Sequence, residues 1–169
     1  MPYGKLDIKL FEDQSLLEST DEYAFSECTS LEQISIPSSV NTIGNSAFFK
    51  CSSLGKISIS SFVTSIDPYT FSLCISLAQI TFEHPSSLES IEESAFDVCI
   101  SLKQIFIQSS VTSISQSAFD GCSLLEQFIF EHPSSLESIQ GSAFIECTSL
   151  RQIFIQSSVT MIGICCFWM

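Results

Sequence analysis

Apolar side chains recur along this chain in one order, with polar residues between them. Each unit reads Leu-x-x-Ile-x-Ile, then Ser-Ser-Val-x-x-Ile, then Ser-Ala-Phe-x-x-Cys-x-x-Leu. In one unit these are Leu102, Ile105, Ile107, Val111, Ile114, Ala118, Phe119, Cys122 and Leu125. Ile105-Phe106-Ile107 alternates inward and outward positions with strand-forming residues, which predicts a strand. Equivalent strands are expected near 34–36, 57–59, 80–82, 128–130 and 153–155. Paired serines such as Ser109-Ser110 predict a turn, and Val111 to Ile114 a second short extended piece. Ala118, Phe119, Cys122 and Leu125 fall at i, i+1, i+4 and i+7, which predicts a short helical or 3₁₀ segment. Ser46, Ser94, Ser117 and Ser142 stand where such segments need a cap.

The phenylalanine of this motif falls at residues 25, 48, 71, 96, 119, 144 and 167, at intervals of 23, 23, 25, 23, 25 and 23. The longer intervals carry a two-residue insertion around Glu83-His84-Pro85 and Glu131-His132-Pro133. Segments 82–114 and 130–162 agree at 26 of 33 positions, the mark of a duplicated two-unit block. A 23-residue unit cannot bury its own apolar face, but stacked units can. The expected fold is mainly β: a right-handed solenoid of about six and a half coils, with parallel strands about 4.8 Å apart and short helical turns. The solenoid is expected to form one domain over 1–169, with units ending near 43, 66, 91, 114, 139 and 162 and both ends cut within a coil. The stack accounts for 15 Phe as an inward column plus strand residues, and for 34 Ser as turns and caps.

Residues 31–51, LEQISIPSSVNTIGNSAFFKC, resemble the repeat of the BspA-like leucine-rich repeat family, and the resemblance recurs along nearly the whole chain. That family consists of cell-surface or secreted proteins of bacteria and protists. The resemblance implies a leucine-rich-repeat solenoid, a role in adhesion and a host or matrix protein as partner.

Charge narrows the partners. Six Lys+Arg against 19 Asp+Glu give a net charge of −13, so no basic face is available for nucleic acid or an anionic membrane. Residues 1–14 show no signal-peptide core, and the longest apolar run, 161–169, is shorter than the roughly 20 residues of a spanning helix. Localisation therefore rests on the resemblance alone. The apolar ends of the stack also allow end-to-end self-association.

Candidate chemistry is sparse. Cys28, Cys51, Cys74, Cys99, Cys122 and Cys147 each stand alone in a coil, with no paired spacing for a metal. They are expected to be reduced, buried apolar fillers, with Cys165 and Cys166 as the reactive thiols. His84 and His132 occupy equivalent turns two coils apart, too far to share one metal. The acidic pairs Glu12-Asp13, Asp21-Glu22 and Glu92-Glu93 lack the converging oxygens of a Ca²⁺ loop. No catalytic residue, metal site or cofactor is expected, and an enzyme is disfavoured.

A binding surface is expected instead. The middle residue of each Ile-x-Ile strand faces outward. Down the stack this column reads Ser35, Ser58, Thr81, Phe106, Ile129, Phe154, turning from polar to apolar. The column two residues earlier reads Gln33, Lys56, Gln79, Gln104, Gln127, Gln152. Phe106, Ile129 and Phe154, edged by Gln79, Gln104, Gln127 and Gln152, are the candidate contact residues for a protein partner. The alternative is a structural spacer, or a piece of a longer array with no ligand of its own.

Overall fold

The structure is a computed structural model and describes residues 16–168. In chain order the strands are β1 (Ser19–Thr20), β2 (Gln33–Ser35), β3 (Thr42–Ile43), β4 (Lys56–Ile59), β5 (Ser65–Ile66), β6 (Gln79–Phe82), β7 (Ser90–Ile91), β8 (Gln104–Ile107), β9 (Ser113–Ile114), β10 (Gln127–Phe130), β11 (Ser138–Ile139) and β12 (Met161–Ile162). All pairings are parallel and join equivalent positions of neighbouring coils. The molecule is a parallel β-solenoid. The coils from β2 to β11 each contribute a three- or four-residue strand to a front face and a two-residue strand to a second face, then close through a turn segment.

The turn segments depart from expectation. Among the described residues there is no helix. In the coil of Phe48, the N–H groups of Ser46, Phe48 and Lys50 donate to Pro68, Thr70 and Ser72 carbonyls of the next coil, at 3.0, 3.0 and 2.9 Å. The alternating N–H groups of Ala47, Phe49 and Cys51 donate three residues back, to Gly44, Ser46 and Phe48. An α-helix would send its interior amides four residues back within its own segment. Here half are spent between coils, so the chain runs as successive turns. Left-handed residues punctuate them: Ser46 at φ 54° and Lys50 at φ 57° in this coil, Ser94 at 52° and Val98 at 56° two coils on. The serines before Ala-Phe are thus left-handed turn residues, not helix caps.

The front face also differs in one respect. β2, β4 and β6 form one sheet and β8 with β10 another, with no strand at 153–155. Both interruptions follow a coil that carries the inserted Glu-His-Pro. Each insertion is tied backward: Glu83 and Ser87 N–H donate to Ile59 and Ser61 carbonyls, and Glu131 and Ser135 N–H to Ile107 and Ser109 carbonyls. The two extra residues are therefore taken up on the forward side, where the next strand loses its pairing. On the second face, β5, β7, β9, β11 and β12 stay in one sheet across both insertions.

The core is the predicted stack. Phe25, Phe48, Phe71, Phe96, Phe119, Phe144 and Phe167 stack with centroids 5.0–5.5 Å apart and rings within 19° of parallel. The five from Phe48 to Phe144 are fully buried, as are Ile43, Ile66, Ile91, Ile114 and Ile139 of the second face. Coil spacing sets ring spacing, and the spacing suits offset aromatic stacking.

Candidate functional site

The front strands carry the outward columns. β8 and β10 pair so that Phe106 stands opposite Ile129, and Gln104 opposite Gln127. Phe106 is 53% exposed and Ile129 half-buried. Their neighbours Ile105, Ile107, Phe128 and Phe130 are buried. This alternation leaves the outer apolar residues unused by the core. Phe154 is 68% exposed. It lies beside the strip by its place in the repeat, in the segment that pairs with no strand; its carbonyl accepts the Gln156 Nε2 amide at 2.9 Å instead. Gln152 is exposed in that same unpaired segment. Gln79 is exposed on β6, opposite Lys56, across the break between the two front sheets. The structure thus joins Phe106, Ile129, Gln104 and Gln127 by strand register, and not Gln79, Gln152 or Phe154.

Charge around the face is uneven. Of the cations among the described residues, Lys56 opens β4, Lys103 immediately precedes β8 and Arg151 precedes the unpaired segment of Gln152 and Phe154. Lys50 lies on the turn side, over the Phe49 ring at 5.0 Å and 3.5 Å from the Glu27 carboxylate. Where the segment after β10 is unpaired, a groove opens between coils, lined by Glu126, Gln127, Thr148, Ser149 and Arg151. A second apolar patch escaped the reading of the sequence: Ile75, Ile100 and Leu124 are exposed at the corner after the cysteine turn. One residue after the cysteine, where Ile75 and Ile100 stand, the other coils have Thr29, Ser52, Ser123 and Thr148; two after it, where Leu124 stands, they have Ser30, Ser53, Ser76, Ser101 and Ser149, and both departures were usable signals.

The thiols need two corrections. All eight cysteines are free. Cys51, Cys74, Cys99, Cys122 and Cys147 are buried as expected, but Cys28 is exposed and Cys166 is buried. Cys166 takes the place of Ala47, Ala95, Ala118 and Ala143, all fully buried. Cys165 takes the left-handed place, at φ 55°, and is exposed. His84 and His132 are exposed, each followed by a cis proline peptide. The described residues hold no group of three His, Cys, Asp or Glu able to hold a metal.

Two carboxylates sit against their own stack. Burial raises Asp97 above the ordinary carboxylate value, offset in part by the Ser72 hydroxyl, which donates to it at 3.1 Å. Burial raises Asp120 as well, with the charges of Asp97 and Glu146 adding to it. A folded-state pKa above the unfolded one means the folded form binds more protons between the two values. The cost of these charges is therefore relieved as pH falls from neutral through the raised folded values toward the ordinary carboxylate value of 3.8. Thermal melts of wild type against Asp97→Asn should show the variant equal or more stable at neutral pH. The advantage should shrink as pH falls through that window; an advantage that grows would contradict the assignment.

Comparison with family models matches BspA type leucine rich repeat region, six copies, over residues 3–125 and 81–169. Comparison with curated proteins finds no match. Among solved structures the chain is similar to a leucine rich cell surface protein from Faecalibacterium prausnitzii, at 29% identity and TM-score 0.75, over 87% of this chain and 39% of that one. It is also similar to a leucine-rich repeat protein from Bacteroides ovatus, at 32% identity and TM-score 0.69, over 87% of this chain and 43% of that one. A T. pallidum leucine rich repeat protein shares the fold at 24% identity and TM-score 0.62, over 86% of this chain and 77% of that one. The chain spans less than half the length of the first two. With the repeat matched along almost its whole length and the solenoid built from it, the chain belongs to the BspA-type leucine-rich repeat family.

Proposed function

We propose that this chain is a non-enzymatic protein-binding module that engages its partner through the front strand face. One observation carries the reading: the outward column changes from Ser35, Ser58 and Thr81 to Phe106, Ile129 and Phe154, and both phenylalanines are more than half exposed. Side chains of this size, outside the core and edged on one side by the Gln104 and Gln127 amides, with Gln79 and Gln152 continuing that edge by their place in the repeat, suit a dry contact centre with a polar border. Similarity to a protein described as cell-surface supports a cell-surface setting with a host or matrix protein as partner.

The double substitution Phe106→Ser with Phe154→Ser tests it. Melting should change little, because neither ring is part of the core. Capture of protein from host-cell surface or matrix extracts should weaken by about thirtyfold or more, the scale of an interface anchor. Capture by wild type should depend only weakly on salt, since the strip is uncharged. Collapse of folding would make these residues core. Undiminished capture would move the site elsewhere, and a wild type that captures nothing would leave the chain a spacer.

A further inference from the structure

The buried cysteines make a contact that a simple apolar filler would not. Cys51 Sγ donates to the Phe25 carbonyl at 3.0 Å, and Cys74 Sγ to Phe48 at 3.1 Å. Cys99 Sγ donates to Phe71 and Cys122 Sγ to Phe96, both at 3.2 Å. Cys147 Sγ donates to Phe119 at 3.1 Å. Five thiols therefore reach back, one coil each, to the same backbone atom of the motif.

That carbonyl has a particular need. Its first partner is local: the N–H of the cysteine three residues on, as in Cys51 N–H to Phe48 at 3.1 Å and Cys99 N–H to Phe96 at 3.2 Å. The carbonyls flanking it in the turn take N–H groups of the neighbouring coil: Ala47 from Phe25, Phe49 from Glu27, Ala118 from Phe96. The phenylalanine carbonyl takes none of these, and its second lone pair lies in the core. Alanine or valine would leave it unpartnered there, and serine would bring a hydroxyl with lone pairs of its own to bury. A thiol fills the slot as a small apolar group and supplies the one donor required.

We propose that the cysteine column is a hydrogen-bonded thiol ladder that ties each coil to the one before it and keeps these thiols in an unreactive form, leaving Cys28 and Cys165 as the two chemically accessible sulfurs. Electrostatics keep most of the enclosed thiols neutral, while Cys28, also raised by burial and then by Cys51, is set apart by its exposure alone. Burial pushes Cys147 up to about 12 and Cys166 to about 11, and raises Cys99 and Cys122 as well. The adjoining Cys51 thiol, then burial, raise Cys74. Within that pair Cys51 is lowered by its contact with Cys74, yet it is fully buried, so access governs its reactivity. Because the thiolate is the attacking species, a ladder of neutral, enclosed thiols can persist reduced where exposed ones would not.

Two measurements on the folded wild-type chain test the ladder. The infrared S–H stretch should lie below the frequency of a free alkyl thiol, and Cys122→Val should remove about one-fifth of the shifted band, one of five bonded thiols. In alkylation by iodoacetamide, the thiolate sulfur displaces iodide, forming an S–C bond and leaving its proton to the buffer. Peptide mapping should show Cys28 and Cys165 reacting at least about a thousandfold faster than the five ladder cysteines, which need local opening first. In urea all eight should react alike. An S–H band at the free frequency would reduce the column to filler. Native ladder thiols alkylated as fast as Cys28 would overturn the proposal.

Discussion

Phe119→Ala should lower the stability of the folded chain by roughly 3–5 kcal/mol, the cost of emptying a large, fully enclosed aromatic site. Phe119 stacks on Phe96 at 5.1 Å and on Phe144 at 5.5 Å, and takes the edge of Phe128 at 5.1 Å. Phe128 also meets Phe144 at 4.9 Å, so the loss spreads into the front sheet. Neighbouring coils hold the gap open, because their spacing is set by backbone bonds that the mutation leaves in place. Phe96→Ala should cost a similar amount. Phe62 is 58% exposed in a turn column otherwise filled by serine, so Phe62→Ser should cost well under 1 kcal/mol. Urea melts of the three variants check this ordering, and equal losses at Phe62 and Phe119 would mean that the phenylalanine stack does not carry the core.

Gly44→Ala should also be strongly unfavourable, at roughly 1–3 kcal/mol, through overpacking against main chain. A Cβ at Gly44 would lie 2.6 Å from the Asp21 carbonyl carbon and 2.7 Å from the Glu22 nitrogen. Backbone of the preceding coil cannot swing aside as a side-chain tip can. Asp67, Glu92, Ser115 and Gln140 occupy the same place in four other coils, whereas Gly163 repeats the demand in the last one, its Cβ direction blocked by the Gly141 and Gln140 main chain. Gly55 supplies the control, since its added Cβ would come no closer than 3.7 Å, to the Ser76 carbonyl oxygen. Gly55→Ala should stay within about 0.5 kcal/mol of wild type. A Gly44→Ala variant as stable as Gly55→Ala would show that the first two coils are packed less closely than this.

The candidate site was legible in part. Alternation along Ile105-Phe106-Ile107 told which residue faces out, because a strand has a period of two. The register of β8 and β10 then paired Phe106 with Ile129. Phe154 was read onto a sixth front strand that does not form, because the effect of an insertion two residues long falls on the neighbouring coil and leaves no mark in 153–155 itself. The exposed corner of Ile75, Ile100 and Leu124 was visible in principle, as apolar residues breaking two adjacent columns of Ser and Thr.

The sequence by itself determined the coil. Its 23- and 25-residue spacing fixes which residues stack, and inward Leu, Ile, Val, Phe and Cys can be buried only by neighbours of the same kind. Tertiary structure decided how the turns are built. The spacing of Ala118, Phe119, Cys122 and Leu125 is the same for a short helix and for a run of turns, because both present these residues to one side. The choice between them belongs to amides such as those of Phe96 and Phe119, which find carbonyls of the next coil at 2.8 and 2.9 Å. That partner exists only once the coils have stacked, as does the carbonyl that gives each buried cysteine its role.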